Sequence, residues 1–215
     1  MKVAVIGATG FVGQNLTAEL ANRGHEVIAI ARNVDTVAKN DKVVAKTADV
    51  SNIAALAEAL KGADVVVSAF NAGWTNPNLY ADFIKGSEAI QQAVKEAGLA
   101  RLIVIGGAGS LFMGGQQLVD GPDFPADYKA GATAARDYLN IIKNEKELNW
   151  SFFSPAIEMH PGIDTGRTGN YRLGTESPVF NADGRSMLSV QDLAVVIADE
   201  VENNAHPQQR FTAGY

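Results

Sequence analysis

The 215-residue chain predicts an α/β fold, a doubly wound parallel sheet, and three observations predict it. Short apolar runs alternate with segments of helical period, the sequence form of repeated βαβ units. The first of these runs passes directly into regularly spaced glycines and then an amphipathic stretch, GATGFVG followed by QNLTAELANR. Hydrophobic residues make up 47% of the chain and charged residues 20%. That balance is enough to bury a substantial core and shows no sign of bulk disorder.

The elements follow in order. Strands are expected over 2–6, 26–31, 43–47, 64–68, 102–105 and 150–154. The first of them, Val3, Ala4, Val5 and Ile6, is an apolar run that suits a strand buried on both faces. Helices are expected over 12–23, 53–61, 79–97 and 129–148, where apolar residues recur near the helical period. Right-handed crossovers would lay these helices on both faces, with a ligand crevice at the strands' C-terminal ends where the strand order reverses. From Ser154 the pattern changes to SPAIEMHPGIDTGRTGNYRLGTESPVF, rich in Pro and Gly, which predicts a small loop-rich cap with its elements within 155–190. Ser189 and Asp192 then open another helix, the serine as cap and the acid in the first turn. A short strand over 210–213 closes the sheet edge. The whole of 1–215 reads as one domain.

The glycines carry the most chemistry. Gly7 makes the turn, Gly10 lets phosphate oxygens approach the backbone, and Gly13 lets the helix pack on the strand. Amides at the helix start attract phosphate. A glycine triplet alone is weak evidence, but here it follows a strand and opens an amphipathic helix, the context that makes it a dinucleotide motif of the Rossmann type. Gly7, Ala8, Thr9, Gly10, Phe11, Val12 and Gly13 are therefore the expected pyrophosphate site. The spacing is G-x-x-G-x-x-G.

The second strand ends IAIARN, with Arg32 where an NAD-reading fold places an acid. Its guanidinium can pair with a 2′-phosphate, so NADP(H) is expected over NAD(H), with Asp35 as the nearby competing acid. Asp49, beside Val50 after the third strand, either reads the adenine amino group or caps the next helix. The nicotinamide end is expected among SAFNAG (68–73), GGAGSL (106–111) and SPA (154–156). There Ala69, Phe70, Gly107, Ser110 and Pro155 would border the ring.

Other chemistries are excluded. Acidic residues outnumber basic ones by 24 to 18, a net charge of −6, and no basic cluster stands out, which argues against nucleic acid. With no cysteine, disulfides, thiolate metal sites and cysteine nucleophiles are ruled out. The three histidines lack metal-ligand spacing, and Ser68, Ser110 and Ser154 lack the nucleophile elbow of hydrolases. No metal and no membrane are expected, and a strand starting at Lys2 leaves no room for a signal peptide, so a cytoplasmic location is expected. A homodimer stays open.

The Tyr-x-x-x-Lys pair of alcohol-oxidising short-chain dehydrogenases is absent: Tyr128 is followed four residues on by Ala132, and Lys129 lies off its face. Ser110 and Tyr128 remain the catalytic candidates; His160, a lone histidine in a loop, is either a surface residue or a further proton donor. Hydride transfer to an easily reduced ring needs little acid–base help.

Taken together, GATGFVG, VIGGAGSL, NWSFFSPA, RTGNYRLG, SMLSVQDLA and the terminal RFTAGY resemble the atypical short-chain dehydrogenase/reductase group provisionally named NADH-flavin reductases, related to NmrA-like and biliverdin-reductase-B-like proteins. The resemblance covers nearly the whole chain. It implies a nicotinamide nucleotide at the strand ends and a small-molecule acceptor such as a flavin or quinone. The pyrophosphate would lie at Gly7, Gly10 and Gly13, and Gly107 and Ser110 would flank the nicotinamide. Arg167, Thr168, Tyr171 and Arg172 would belong to the cap. An NmrA-like redox sensor that binds the nucleotide without turnover is the alternative.

Overall fold

The computed structural model describes residues 1–215. Its main sheet has eight strands in the order β3-β2-β1-β4-β5-β8-β10-β9. In chain order these are β1 (Lys2–Ile6), β2 (Glu26–Ala31), β3 (Val43–Thr47), β4 (Val65–Ser68), β5 (Arg101–Ile105), β8 (Asn149–Ser154), β9 (Arg172–Gly174) and β10 (Gln209–Gly214). All pairings are parallel except β10 with β9. The helices are α1 (Phe11–Asn22), α2 (Ile53–Leu60), α3 (Leu79–Glu96), α4 (Ala126–Ile142) and α5 (Val190–Asn203).

Alternation along the strands sorts side chains into two cores, as a strand with period two must. In β1, Ala4 and Ile6 join α2, α3 and α4, while Val3 and Val5 join α1 and α5. The cores are nearly equal, 25 and 23 buried residues, so neither face is open and the fold is doubly wound. The strand order reverses between β1 and β4, which sets the crevice at the C-terminal ends of those two strands.

Three departures from the expected elements have physical causes. Helix α4 stops at Ile142 although KNEKEL continues a helical pattern. Glu145 is pulled to Lys95 of α3, 2.6 Å away, and its carboxylate accepts the amides of Glu147 and Leu148, which turns the chain into β8. A hairpin of β6 (Phe112–Met113) and β7 (Gln116–Gln117) follows β5, turning at Gly114 and Gly115, both with positive φ. That Gly-Gly pair was its sequence signal. Within the cap, β9 extends the sheet as an antiparallel edge, with Arg172 donating to the carbonyls of Phe180 and Tyr215.

Ser189 caps α5 as expected, accepting the Asp192 amide at 3.0 Å. Asp192, fully buried, accepts from Thr168 and Gly169 amides and from the Tyr215 hydroxyl. Arg167 donates twice to Glu19 of α1, and Tyr171 donates to Asp199 of α5. The RTGNYR segment thus spends its polar groups fastening the cap to α1 and α5. At the opposite end of the sheet, buried Arg101 pairs with Glu200 at 2.6 Å, and Ser151 and His206 complete that network.

Bonds from Arg167 hold the Glu19 carboxyl down at about 2, outweighing burial, and Arg23 adds to the effect. A depressed native pKa means the unfolded chain binds more protons, so this stabilisation is complete above the ordinary value of 4.5 and is lost as pH falls toward 2. Urea unfolding midpoints should therefore fall across that window, and E19Q should have a lower midpoint at neutral pH with a shallower acid slope. Identical slopes in both proteins would refute this origin.

Candidate nucleotide-binding site

The crevice holds a cavity of about 680 Å³ whose wall includes Gly7, Thr9 and Gly10 at one side and Arg32, Asp49 and Val50 at the other. Ala69 and Phe70 close it at the end of β4. Its glycine turn is built by close contacts. Gly7 has φ +78°, and a Cβ there would lie 2.6 Å from the Ala69 carbonyl oxygen. A Cβ on Gly13 would lie 2.0 Å from the Gly7 oxygen, so only glycine lets α1 approach β1 this closely. A Cβ on Gly10 meets nothing nearer than 3.4 Å, and this residue lies on the cavity wall.

The start of α1 is a donor set without acceptors. Gly7 and Ala8 amides donate to the Ile30 carbonyl, and Gln14 makes the first helical bond, to Gly10. Between them the amides of Thr9, Phe11, Val12 and Gly13 donate to no protein atom, and the N-cap Gly10 offers no side chain. No acid stands in the first turn, unlike α3, α4 and α5. Free amides at a helix's positive end attract an anion.

At the far side Arg32 is exposed on the cavity wall with no hydrogen-bond or ion-pair partner. Asp35 does not line the cavity. Asn52 caps α2, accepting from Ala55 at 3.0 Å, so the capping role considered for Asp49 is overturned: a residue three positions on has the geometry. Asp49 instead accepts the Ser51 amide at 2.9 Å. That bond, with a smaller contribution from Arg32, holds its carboxyl below the usual range.

The nicotinamide-side residues are spread more widely. Ala69 and Phe70 line the cavity; Gly107, Ser110 and Pro155 do not. Ser110 is fully buried, its hydroxyl bonded to the Gly107 carbonyl and the Ser154 hydroxyl and approached by Arg210. Tyr128 is 56% exposed at the start of α4, outside the cavity. His160 is exposed in the cap, where its ring accepts the Gly162 amide. Phe11 is exposed, and neither it nor Ala8, Val12 or Gly13 lines the cavity.

Sequence reasoning missed the α3 wall, where Asp82, Lys85, Gly86, Glu88 and Ala89 face the cavity beside Asn71, Ala72 and Asn76 of the preceding loop. One signal was present: Gly86 interrupts a long helix. A Cβ there would lie 2.5 Å from the Phe70 ring, so this glycine is what seats Phe70. Among the side chains no group of three or more His, Asp or Glu could hold a metal ion, and no helix is long and apolar enough to cross a membrane.

A doubly wound sheet with a bare-amide turn at its switch point defines a nucleotide-binding protein. The model of the family described as NAD(P)H-binding matches residues 7–204, and the chain belongs to that family, which binds pyridine nucleotides. YwnB of Bacillus subtilis, a protein without assigned function, is 36% identical over 99% of this chain and 97% of its own. A Bacteroides thetaiotaomicron structure, provisionally named an epimerase, is 43% identical with a TM-score of 0.90, covering 100% of this chain and 96% of its own. A Streptococcus pneumoniae structure, provisionally named an NADH-flavin reductase, is 35% identical with a TM-score of 0.86, covering 100% and 99%. The chain is therefore of the oxidoreductase-like NAD(P)-binding Rossmann group, consistent with the atypical short-chain dehydrogenase/reductase resemblance.

The glycine turn makes a stability prediction. G13A places a methyl carbon where a carbonyl oxygen stands and should lower unfolding free energy by about 2–4 kcal/mol. Denaturant titration checks it; an unchanged midpoint would mean that α1 does not approach β1 as described.

Proposed function

We propose that the protein is an NAD(P)H-dependent reductase passing hydride to a flavin, quinone or similar conjugated acceptor, with NADP(H) preferred over NAD(H). The observation that carries this reading is a cavity with the unpartnered Thr9 amide at the start of α1 on one side and the unpartnered Arg32 on the other, in a chain without the Tyr-x-x-x-Lys proton relay. When bound, the reduced nucleotide supplies a hydride, and the acceptor takes up the two electrons with it.

The chain's own residues have the following parts. The turn from Gly7 to Gly13 holds the pyrophosphate through the amides of Thr9, Phe11, Val12 and Gly13, while Gly10 keeps the approach open. Arg32 pairs with a 2′-phosphate, and Asp49 and Val50 border the adenine. Ala69 and Phe70 border the nicotinamide from the β4 side. Gly107, Ser110 and Pro155 shape the backbone at the ends of β5 and β8, with the Ser110 hydroxyl fixing that turn from inside rather than meeting substrate. Tyr128 stands at the acceptor side. The Streptococcus relative's name supports the acceptor class, and a cytoplasmic location is part of the same proposal.

One observation favours a second reading. Sealing of the Ser110 hydroxyl removes one of the two catalytic candidates, as a redox sensor without turnover would tolerate. Such a sensor would bind oxidised and reduced nucleotide with unequal affinity and would turn over no acceptor.

Loss of reduced-nucleotide absorbance with NADPH and a panel of FMN, riboflavin and quinones tests the reductase. Turnover with at least one is expected, and none with any acceptor overturns it. For cofactor choice, R32A removes a charge-assisted contact of about 1.5–3 kcal/mol, so NADPH affinity should fall roughly 10- to 100-fold while NADH affinity holds. Equal losses for both nucleotides would remove Arg32 as the phosphate reader.

A further inference from the structure

Trp74 is a large aromatic that neither the cores nor the nucleotide cavity accounts for. It stands in the loop between β4 and α3, between Asn71 and Asn76, both of which line the cavity. Its side chain is 57% exposed, yet it is seated against a neighbouring helix. A Cβ on Gly131 of α4 would lie 2.8 Å from Cζ3 and 3.3 Å from Cη2 of the indole, so the absent side chain at 131 is the seat of the ring. Tyr128, one turn earlier on α4, meets the indole edge to face, with centroids 5.5 Å apart and planes at 90°. Tyr128 is itself 56% exposed, so the pair supports itself without being buried.

The position of the pair in the fold is set by two contacts. A Cβ on Gly109, in the turn after β5, would lie 3.0 Å from the Ala132 Cβ, which ties the start of α4 to the end of β5. The Trp74 loop leaves the end of β4. Two fixed aromatic faces thus stand at the C-terminal ends of adjacent central strands, beside the nucleotide cavity and open to solvent. A Trp left exposed in water forgoes burial of a large apolar surface, and its wide π face is suited to an offset stack with another flat ring. Alternatives that use only the apolar surface would need no glycine beneath the indole and no orthogonal partner to fix its plane.

We infer that Trp74, held by Gly131 and Tyr128, is the stacking wall on which the acceptor's flat conjugated ring is held, an oxidised isoalloxazine or a quinone. This inference rests on the reductase reading and names the acceptor side of the same site. Tyr128 acts on this wall as a positioning residue, fixing the indole plane, and gives up no proton.

Three measurements on the full chain separate the outcomes. Calorimetry with NADPH comes first: no heat with the wild-type protein overturns the reductase reading itself. With binding established, riboflavin, FMN and a naphthoquinone are titrated in the presence of NADP⁺ while tryptophan emission is followed. Trp150 is only 3% exposed, so Trp74 is the accessible emitter. Saturable quenching by one or more acceptors is expected in the wild type and lost in W74F, and the compound that quenches identifies the ring system as flavin or quinone. In steady-state kinetics W74A should raise the acceptor KM at least tenfold with NADPH affinity within twofold, whereas W74F, which keeps a ring, should stay within about threefold. Acceptor turnover without quenching, and with an unchanged KM in W74A, overturns the wall while leaving the reductase intact. A concentration-dependent sedimentation shift abolished by W74A, again without quenching, makes the pair a contact between copies of the chain and overturns it as well.

Discussion

The structure depends on the approach of one backbone to another at the first turn. With 2.0 Å between a would-be Cβ of residue 13 and the Gly7 oxygen, no side chain can occupy that position while α1 stays against β1. Everything at the crevice inherits from this contact. It sets the direction of α1, leaves four consecutive-region amides without acceptors, and places them where β1 and β4 part. Gly7, in the left-handed region at φ +78°, does the same for the chain's reversal, since a Cβ there would strike Ala69 at the end of β4. The same two atoms that forbid side chains bring β1, α1 and β4 together around one cavity.

Polar bonding divides the molecule into a fastened part and a receptive part. The cap and the far ends of the strands use their charged groups on one another: Arg167 with Glu19, Arg23 with Glu19 and Asp199, Arg101 with Glu200, Arg210 with Glu176. Breaking a buried pair such as Arg101–Glu200 leaves an uncompensated charge, so such pairs act as constraints on register more than as sources of net stability. Around the cavity the pattern inverts, and the helix-start amides and the Arg32 guanidinium have no protein partner. Unmet donors next to space are what a phosphate-bearing ligand completes.

Glycine recurs as the means by which aromatic rings are placed. Gly86 seats Phe70 on α3, Gly106 makes room for the Phe152 ring, and Gly131 seats Trp74 on α4. In each case the backbone, in α3, just past β5 or in α4, gives up a Cβ and a ring takes the space. Two of these rings, Phe70 and Trp74, leave the same β4 end, one facing into the cavity and the other standing outside it.

The sequence by itself determined what depends on neighbours along the chain. Strand and helix alternation, the glycine turn, the serine cap of α5 and the absent Tyr–Lys pair are all local, because period, φ preference and capping act within a few residues. The doubly wound sheet follows from them, as β1 shows by sending Ala4 and Ile6 to one core and Val3 and Val5 to the other. Tertiary structure alone decided what depends on approach across the chain: that Glu145 would bend to Lys95 and end α4, that Asn52 and not Asp49 would cap α2, that Ser110 would turn inward to Ser154 and Arg210. It also decided that α3 would form the cavity's second wall and that Trp74 would rest on Gly131. Apart from the Asn52 cap, where two neighbouring polar residues both suited the role and the local backbone path chose between them, these contacts join residues tens of positions apart, and no local pattern encodes the distance between them.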